Sequence, residues 1–161
     1  MTQRVTAIYP GTFDPITNGH LDLIERGSKI FDNLTVAVLR KVEKNPLFSV
    51  DERVEMLRET TRHCPNVSVD SFGGLLVDFA VRCHARVILR GIRAVSDYEN
   101  ELQMALMNRK LDSNIETVFM MSAAAYTYLS SRLVKEVCQL GGDVKGLVPP
   151  VVEERLRAKV D

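Results

Sequence analysis

The sequence predicts an α/β fold, a Rossmann-like, doubly wound sheet of about five parallel strands with helices on both faces, in a single domain covering residues 1–161. Three observations predict it. Apolar strand-like runs alternate along the chain with apolar positions at helical spacing. Residues 34–39 form a near-continuous apolar run, as in strands covered on both faces. Each junction carries turn residues, and no repeat, low-complexity tract or linker divides the chain.

The first strand is expected at 5–9, closed by Pro10-Gly11. A helix over 19–31 would bury Leu21, Leu23, Ile24, Ile30 and Phe31, with Asn18 as its cap. After the strand at 34–39, Ser49-Val50-Asp51-Glu52 has the spacing of a capping box, and Val50, Val54 and Leu57 recur at helical spacing behind it, beside Met56. A short strand at 67–69 precedes a helix at 75–83 built on Leu75, Leu76, Phe79 and Cys83. A buried strand at 87–89 leads to a helix at 98–111 that turns Leu102, Ala105, Leu106 and Met107 inward. A fifth strand lies at 117–121, and a helix at 129–140 is closed by Gly141-Gly142, which can supply a left-handed cap. Pro149-Pro150 opens the last helix, where a first-turn proline costs little because its N–H would be unpaired anyway.

Composition narrows the function. In 161 residues, 21 Lys plus Arg balance 21 Asp plus Glu, which argues against a module that coats nucleic acid through a broadly basic surface but leaves room for a local phosphate pocket. No apolar run approaches the roughly 20 residues of a membrane span, and the start reads as the approach to a strand rather than a signal peptide, so a cytoplasmic protein is expected. Cys64, Cys83 and Cys138 are odd in number, widely spaced and form no CxxC pair, as suits a reducing compartment. The adjacent pairs His63-Cys64 and Cys83-His84 lack the spacing of zinc ligands, and Cys83 and Cys138 are expected as small hydrophobes on buried helix faces.

Ligands of open parallel sheets bind beyond the C-terminal ends of the strands. There the chain places residues 10–20, 40–46, 90–93 and 122–131. Lys41, Lys44, Arg90 and Arg93 are expected to converge on one edge of the sheet, where they would repel one another without an anion. Phosphate is the natural counter-ion, and helix N-termini add to the attraction. No GxxxxGK[ST], GxGxxG or GxSxG is present, which argues against a P-loop enzyme, a dinucleotide dehydrogenase and a hydrolase with a nucleophile elbow. The strongest candidate is instead Thr17-Asn18-Gly19-His20, with His20 in a first helical turn and its ring free to reach a phosphate oxygen. A lone histidine is more often structural, and Asp14-Pro15 could be only a turn.

Residues Tyr9-Pro10-Gly11-Thr12-Phe13-Asp14-Pro15-Ile16-Thr17-Asn18-Gly19-His20 resemble the signature of the bacterial phosphopantetheine adenylyltransferases, members of the nucleotidylyltransferase superfamily whose TxGH element is a variant of HxGH. The likeness continues through Lys44-Asn45-Pro46-Leu47-Phe48, Gly74-Leu75-Leu76-Val77-Asp78-Phe79, residues 89–99, Glu101-Leu102-Gln103-Met104-Ala105, Leu129-Ser130-Ser131 and Val134-Lys135-Glu136-Val137. It implies a transferase of coenzyme A biosynthesis that moves AMP from ATP to 4′-phosphopantetheine, giving 3′-dephospho-coenzyme A and pyrophosphate with Mg2+, in a homohexamer with coenzyme A as a feedback ligand. By the same resemblance His20 stabilises the transition state. Thr12, Lys44, Leu76 and Arg90 hold phosphopantetheine. Thr12, Phe13, His20, Gly91, Ile92, Arg93, Glu101, Tyr126, Thr127, Tyr128, Leu129, Ser130, Ser131 and Arg132 hold ATP.

The chemistry so implied asks little of the side chains. A phosphate monoester is already ionised near neutral pH, so the protein need only align two polyanions and neutralise charge at the reacting phosphorus. Lys44 and the Arg90 fork suit the attacking phosphate, His20 the α-phosphate, and Arg93 with Ser130-Ser131 the β- and γ-phosphates. Leu76 reads equally as an apolar wall or as core, Tyr126 as an adenine neighbour or core, and Glu101 suits a ribose or amine contact. Two positions depart from the family pattern: Arg132 replaces a common serine, and Asn100 a common aromatic residue. Another small-molecule nucleotidylyltransferase, or a non-catalytic nucleotide- or coenzyme-A-binding regulator, would share much of this pattern.

Overall fold

A computed structural model describes residues 2–41 and 44–161; Val42 and Glu43, in the expected loop after the second strand, and Met1 lie outside the described residues. Five parallel strands run in the order β3-β2-β1-β4-β5: β1 is Thr6–Gly11, β2 Asn33–Leu39, β3 Val67–Phe72, β4 Val87–Ile92 and β5 Glu116–Met121. The helices are α1 (Asn18–Ile30), α2 (Val50–Thr60), α3 (Leu76–Arg82), α4 (Val95–Leu111), α5 (Ser131–Gln139) and α6 (Pro150–Val160). The chain winds outward from β1 through β2 to β3, then returns to start β4 on the other side of β1. The reversal puts a crevice beyond the C-terminal ends of β1 and β4, where such sheets take their ligands.

Alternation along the strands fills both faces. Tyr9 on β1 and Val36 and Val38 on β2 are buried in one cluster with Leu23, Leu57, Leu89 and Leu156. Ile8 and Ala37 are buried in the other with Phe72, Phe79 and Ile88. The doubly covered, parallel sheet is thus the one the apolar runs predict.

Local signals set several boundaries. Ser49 caps α2, its hydroxyl accepting from Glu52 N–H at 3.2 Å while Glu52 accepts from Ser49 N–H at 2.8 Å. Gly141 adopts φ +80° just past α5, and Pro150 is the first residue of α6. Strands β3 and β4 extend three residues beyond the apolar runs, because ladder pairs such as Ala37↔Asp70 and Arg90↔Phe119 carry polar residues into the sheet. Helix α4 starts at Val95, since the Asp97 carboxylate accepts from the N–H groups of Arg93 and Ala94 at 3.0 and 3.3 Å. Before α5, residues 124–126 form a separate 3-10 turn, and Ser130 caps the helix through Leu133 N–H at 3.1 Å.

Four expectations are corrected. Thr17, not Asn18, caps α1: its extended backbone ends the loop and its hydroxyl accepts from His20 N–H, whereas Asn18 is the first helical residue. Ile30 is exposed, because the helix ends there and Phe31 turns into the core. Leu106 and Met107 are exposed, as is Leu75, which precedes α3; the buried residue of α4 is Asn108. The exposed apolar positions of α4 therefore lie outside this chain's packed core. Cys83 is half-buried, whereas Cys138 is buried as expected.

Candidate active site

Two adjoining cavities open at the strand reversal. The first, about 290 Å3, is the more polar of the two and is bounded by the β1 loop, the start of α1, the end of β4 and the turn before α5. The second, about 470 Å3, is mainly apolar and runs between α3 and α4, with Leu76, Phe72, Met104 and Leu111 among its walls. Pro10, Gly11, Thr12, Arg90 and Glu101 belong to both. An elongated ligand with one charged end therefore fits the second cavity, with that end presented to whatever occupies the first.

His20 stands at the floor of the polar cavity in an unusual capping arrangement. Thr17 N–H donates to His20 Nδ1 at 3.0 Å, and the Thr17 hydroxyl lies 3.2 Å from the same nitrogen. A nitrogen that accepts from a backbone N–H carries no proton, so the neutral ring is protonated on Nε2. Burial, helped by Arg93 and Arg90, lowers the His20 pKa to about 4, so the ring is neutral at physiological pH. Nε2–H is then a hydrogen-bond donor without a net charge. Phe13 packs edge-on to His20 with ring centroids 5.0 Å apart and adopts φ +51°, a left-handed conformation rare for a bulky residue. Gly11 makes room for it, since a Cβ there would lie 2.9 Å from the Phe13 ring. Tyr9 borders the same cavity, and burial raises its phenol pKa despite the opposing pull of Arg90 and Arg93.

The two arginines are fixed differently. Arg90 donates from Nε and Nη2 to the two Glu101 oxygens at 2.9 and 2.6 Å, and from Nη1 to Pro10 O at 2.8 Å. Burial opposes its charge, but the hydrogen bonds and attraction of Glu101 outweigh this and raise its pKa. A guanidinium has five N–H donors, so two remain for a ligand. Arg93 donates to Leu129 O at 2.7 Å and lies 3.4 Å from Asp97, which ties the end of β4 to the turn that precedes α5. Gly91 between them permits close packing on α1, because a Cβ there would lie 2.8 Å from Leu23 Cδ2.

Thus the polar cavity gathers Thr12, Phe13, His20, Arg90, Gly91, Arg93, Glu101, Tyr126, Leu129, Ser130 and Ser131. Leu76 lines the apolar one, together with Thr12, Arg90 and Glu101. Ile92 is buried in the sheet, and Thr127, Tyr128 and Arg132 are exposed and line neither cavity. Of the four cations expected at this edge of the sheet, Arg90 and Arg93 line the polar cavity, whereas Lys41 and Lys44 are exposed and line neither cavity. Glu101 faces Arg90 instead of standing alone for a ribose or amine.

Three buried or half-buried charges escaped the sequence reading. Asp14 is 1% exposed, and its carboxylate accepts from Phe48 N–H, Leu47 N–H and Lys135 Nζ at 2.9, 3.0 and 3.0 Å. Arg53, 3% exposed, donates to the carbonyls of Phe48, Ser49 and Thr12 at 3.1, 3.3 and 3.0 Å. Arg53 falls on the Val50, Val54, Leu57 stripe of α2, and a charge on an apolar stripe was the available signal. Asp14 and Lys135 both fall in the quoted motifs, but at 121 residues apart nothing there marks them as a pair. Among the described residues, no group of three or more His, Cys, Asp or Glu is placed to hold a metal ion. The acidic groups nearest the cavity, Asp97 and Glu101, are engaged by arginines.

Residues 8–137 match the cytidylyltransferase-like family. A phosphopantetheine adenylyltransferase from Syntrophotalea carbinolica is 55% identical over 159 residues, covering 99% of this chain and 95% of that protein. One from Clostridium botulinum is 60% identical over 143 residues, 89% of this chain and 90% of its own length. Among solved structures, a protein from Vibrio parahaemolyticus described as a candidate nicotinate-nucleotide adenylyltransferase superposes with a TM-score of 0.72 at 16% identity, over 97% of this chain and 93% of that one, a likeness of fold.

Proposed function

The chain belongs to the phosphopantetheine adenylyltransferases of the cytidylyltransferase-like family, and from that premise we propose that it transfers AMP from ATP to 4′-phosphopantetheine, the penultimate step of coenzyme A synthesis. The observation that carries this reading is the shared wall of the two cavities, where Thr12, Arg90 and Glu101 stand between a polar and an apolar compartment. In this reading residues 1–161 act as one domain. ATP occupies the polar cavity and the pantetheine arm lies against Leu76, with its phosphate at the junction.

The reaction follows as an in-line displacement. An oxygen of the 4′-phosphate attacks the α-phosphorus, a new P–O bond forms, and the bond to the bridging oxygen of the β-phosphate breaks, releasing pyrophosphate. The attacking oxygen is already ionised, so no general base is required. His20 Nε2–H donates to the α-phosphate as charge builds there. The two unused N–H groups of Arg90 take the phosphopantetheine phosphate, and Lys44, exposed on the segment after β2, is assigned to the same phosphate by the family resemblance alone. Arg93 and the Ser130-Ser131 start of α5 receive the β- and γ-phosphates, where helix N–H groups favour negative charge. The remaining nucleotide contacts fall to the cavity residues Thr12, Phe13, Gly91, Glu101, Tyr126 and Leu129, while Ile92, Thr127, Tyr128 and Arg132 are their chain neighbours, assigned to ATP by the family resemblance alone. Asp97 and Glu101 are already committed to arginines, so Mg2+ would be held chiefly by the ATP phosphates, whose charge it would offset.

The exposed apolar residues Leu106 and Met121 on α4 and β5 suit cover by a neighbouring copy, and the family resemblance makes that assembly a homohexamer. No described helix is long and apolar enough to cross a membrane, which supports a cytoplasmic enzyme. Coenzyme A, which contains both the pantetheine arm and an adenylate, suits the same paired cavities as a feedback ligand. The test is a coupled assay of pyrophosphate release from MgATP with and without 4′-phosphopantetheine. Release that depends on the second substrate supports the reading. Nucleotide binding with no release with this acceptor overturns it.

A further inference from the structure

We propose that Arg53 is a positioning residue for the transfer reaction: from the core beneath the site it holds the Thr12 carbonyl, and so fixes the peptide on which both cavities converge. The inference rests on the proposed function, but the observations behind it are independent of that reading.

Arg53 lies on the inner face of α2, 3% exposed, and is not itself part of either cavity wall. It spends its donors on backbone carbonyls, Nε on Phe48 and Ser49 and Nη1 on Thr12, 41 residues away in sequence. Burying a guanidinium is costly, and an apolar residue on this stripe would fill the helix face at lower cost. What an apolar residue cannot do is hold three carbonyls. Two of them belong to the segment before α2, whose N–H groups at Leu47 and Phe48 are held from the other side by Asp14. The loop after β1 and the entrance to α2 are therefore joined twice, by a buried carboxylate and a buried guanidinium.

The third carbonyl gives the arrangement its consequence. Thr12 borders both cavities, and a carbonyl oxygen turned toward two phosphate-bearing substrates would repel them. Arg53 draws that oxygen into the interior. In a trans peptide the N–H points opposite to the C=O, so the Phe13 N–H is directed away from Arg53. The left-handed Phe13 backbone, φ +51°, then turns the chain toward Asp14. Loss of the Arg53 contact frees this peptide to rotate and misaligns the attacking and accepting phosphates, a displacement to which in-line transfer is sensitive.

The experiment compares Arg53→Lys and Arg53→Gln with wild type, each checked by thermal melting before steady-state kinetics in both substrates. Wild-type turnover decides the proposed reaction by itself; the ratio of variant to wild type decides the role of Arg53. The expected result is a cooperative melt, kcat lowered about 10- to 100-fold, and KM for ATP and phosphopantetheine within about threefold of wild type, with Lys retaining more rate than Gln. Folded variants with unchanged kcat overturn the proposal. So do variants that lose cooperative melting, or whose lost rate equals their lost folded fraction, because Arg53 then serves stability alone.

Discussion

Glu101 grips Arg90 side-on, with Oε2 accepting from Nε at 2.9 Å and Oε1 from Nη2 at 2.6 Å. Pro10 O takes a third donor at 2.8 Å, so the guanidinium is oriented before any ligand arrives. Its charge is locally balanced, yet its unused donors lie where the two cavities meet.

Replacing Arg90 with Ala is expected to weaken phosphopantetheine more than ATP, by about 1.5–3 kcal/mol, the worth of hydrogen bonds to a charged group. Titration calorimetry with each ligand reads the difference, and equal losses would remove the assigned role. Glu101→Gln keeps the shape but weakens the grip, so its effect should shrink when Arg90 is already Ala. A coupling energy near zero in that double-mutant cycle would separate the two residues.

His20 is expected to contribute as a neutral donor. With its pKa at about 4, His20 itself does not ionise between pH 5 and 8. The acid limb of kcat/KM should instead lie near pH 6, about where the second ionisation of a phosphate monoester falls. His20→Asn is expected to lower kcat by about 10²–10³-fold, the usual loss for a donor aimed at developing charge, while keeping that limb. Disappearance of the limb in the variant would show that the histidine itself titrates in the rate.

The same shift ties His20 to folding. Its folded pKa, about 4, lies below the unfolded value of 6.5, so the unfolded chain takes up a proton first. The neutral ring's contribution is full above about pH 6.5 and is lost as pH falls toward 4. Urea midpoints at pH 7.5 and 5 should separate more for wild type than for His20→Asn. Parallel losses would place the acid sensitivity in other groups.

How much of this was legible depended on whether a residue's partner lies close in sequence. Ser49 and Glu52 form the capping box their spacing announces, and Gly141 and Pro150 end and begin helices as glycine and proline should. His20 and Thr12 were found through their motif, and both line the polar cavity. The contacts of Asp14 with Leu47 and Lys135, and of Arg53 with the Thr12 carbonyl, stayed hidden because they span 33 to 121 residues, and only folding brings them together. Leu106 and Met107 misled for the opposite reason: helical periodicity records that a face is apolar, not which surface it meets.

The Asp14–Lys135 pair gives the clearest test of such hidden contacts. Asp14 is 1% exposed and carries two backbone N–H groups besides the ammonium at 3.0 Å, so removing the carboxylate strands three donors at once. Asp14→Ala is expected to cost about 3–5 kcal/mol in urea unfolding, because an unpaired charge and two unpaired amides remain. Lys135→Met leaves both amides satisfied and its stem can pack in the same space, but it leaves the buried Asp14 carboxylate without its counter-ion, so it should cost about 3 kcal/mol, the low end for breaking a buried pair from one side. The double variant should then be no worse than Asp14→Ala, since the stranded lysine has gone. Strictly additive losses would mean that the ion pair contributes nothing and that the two amide bonds alone hold the β1 loop to the entrance of α2.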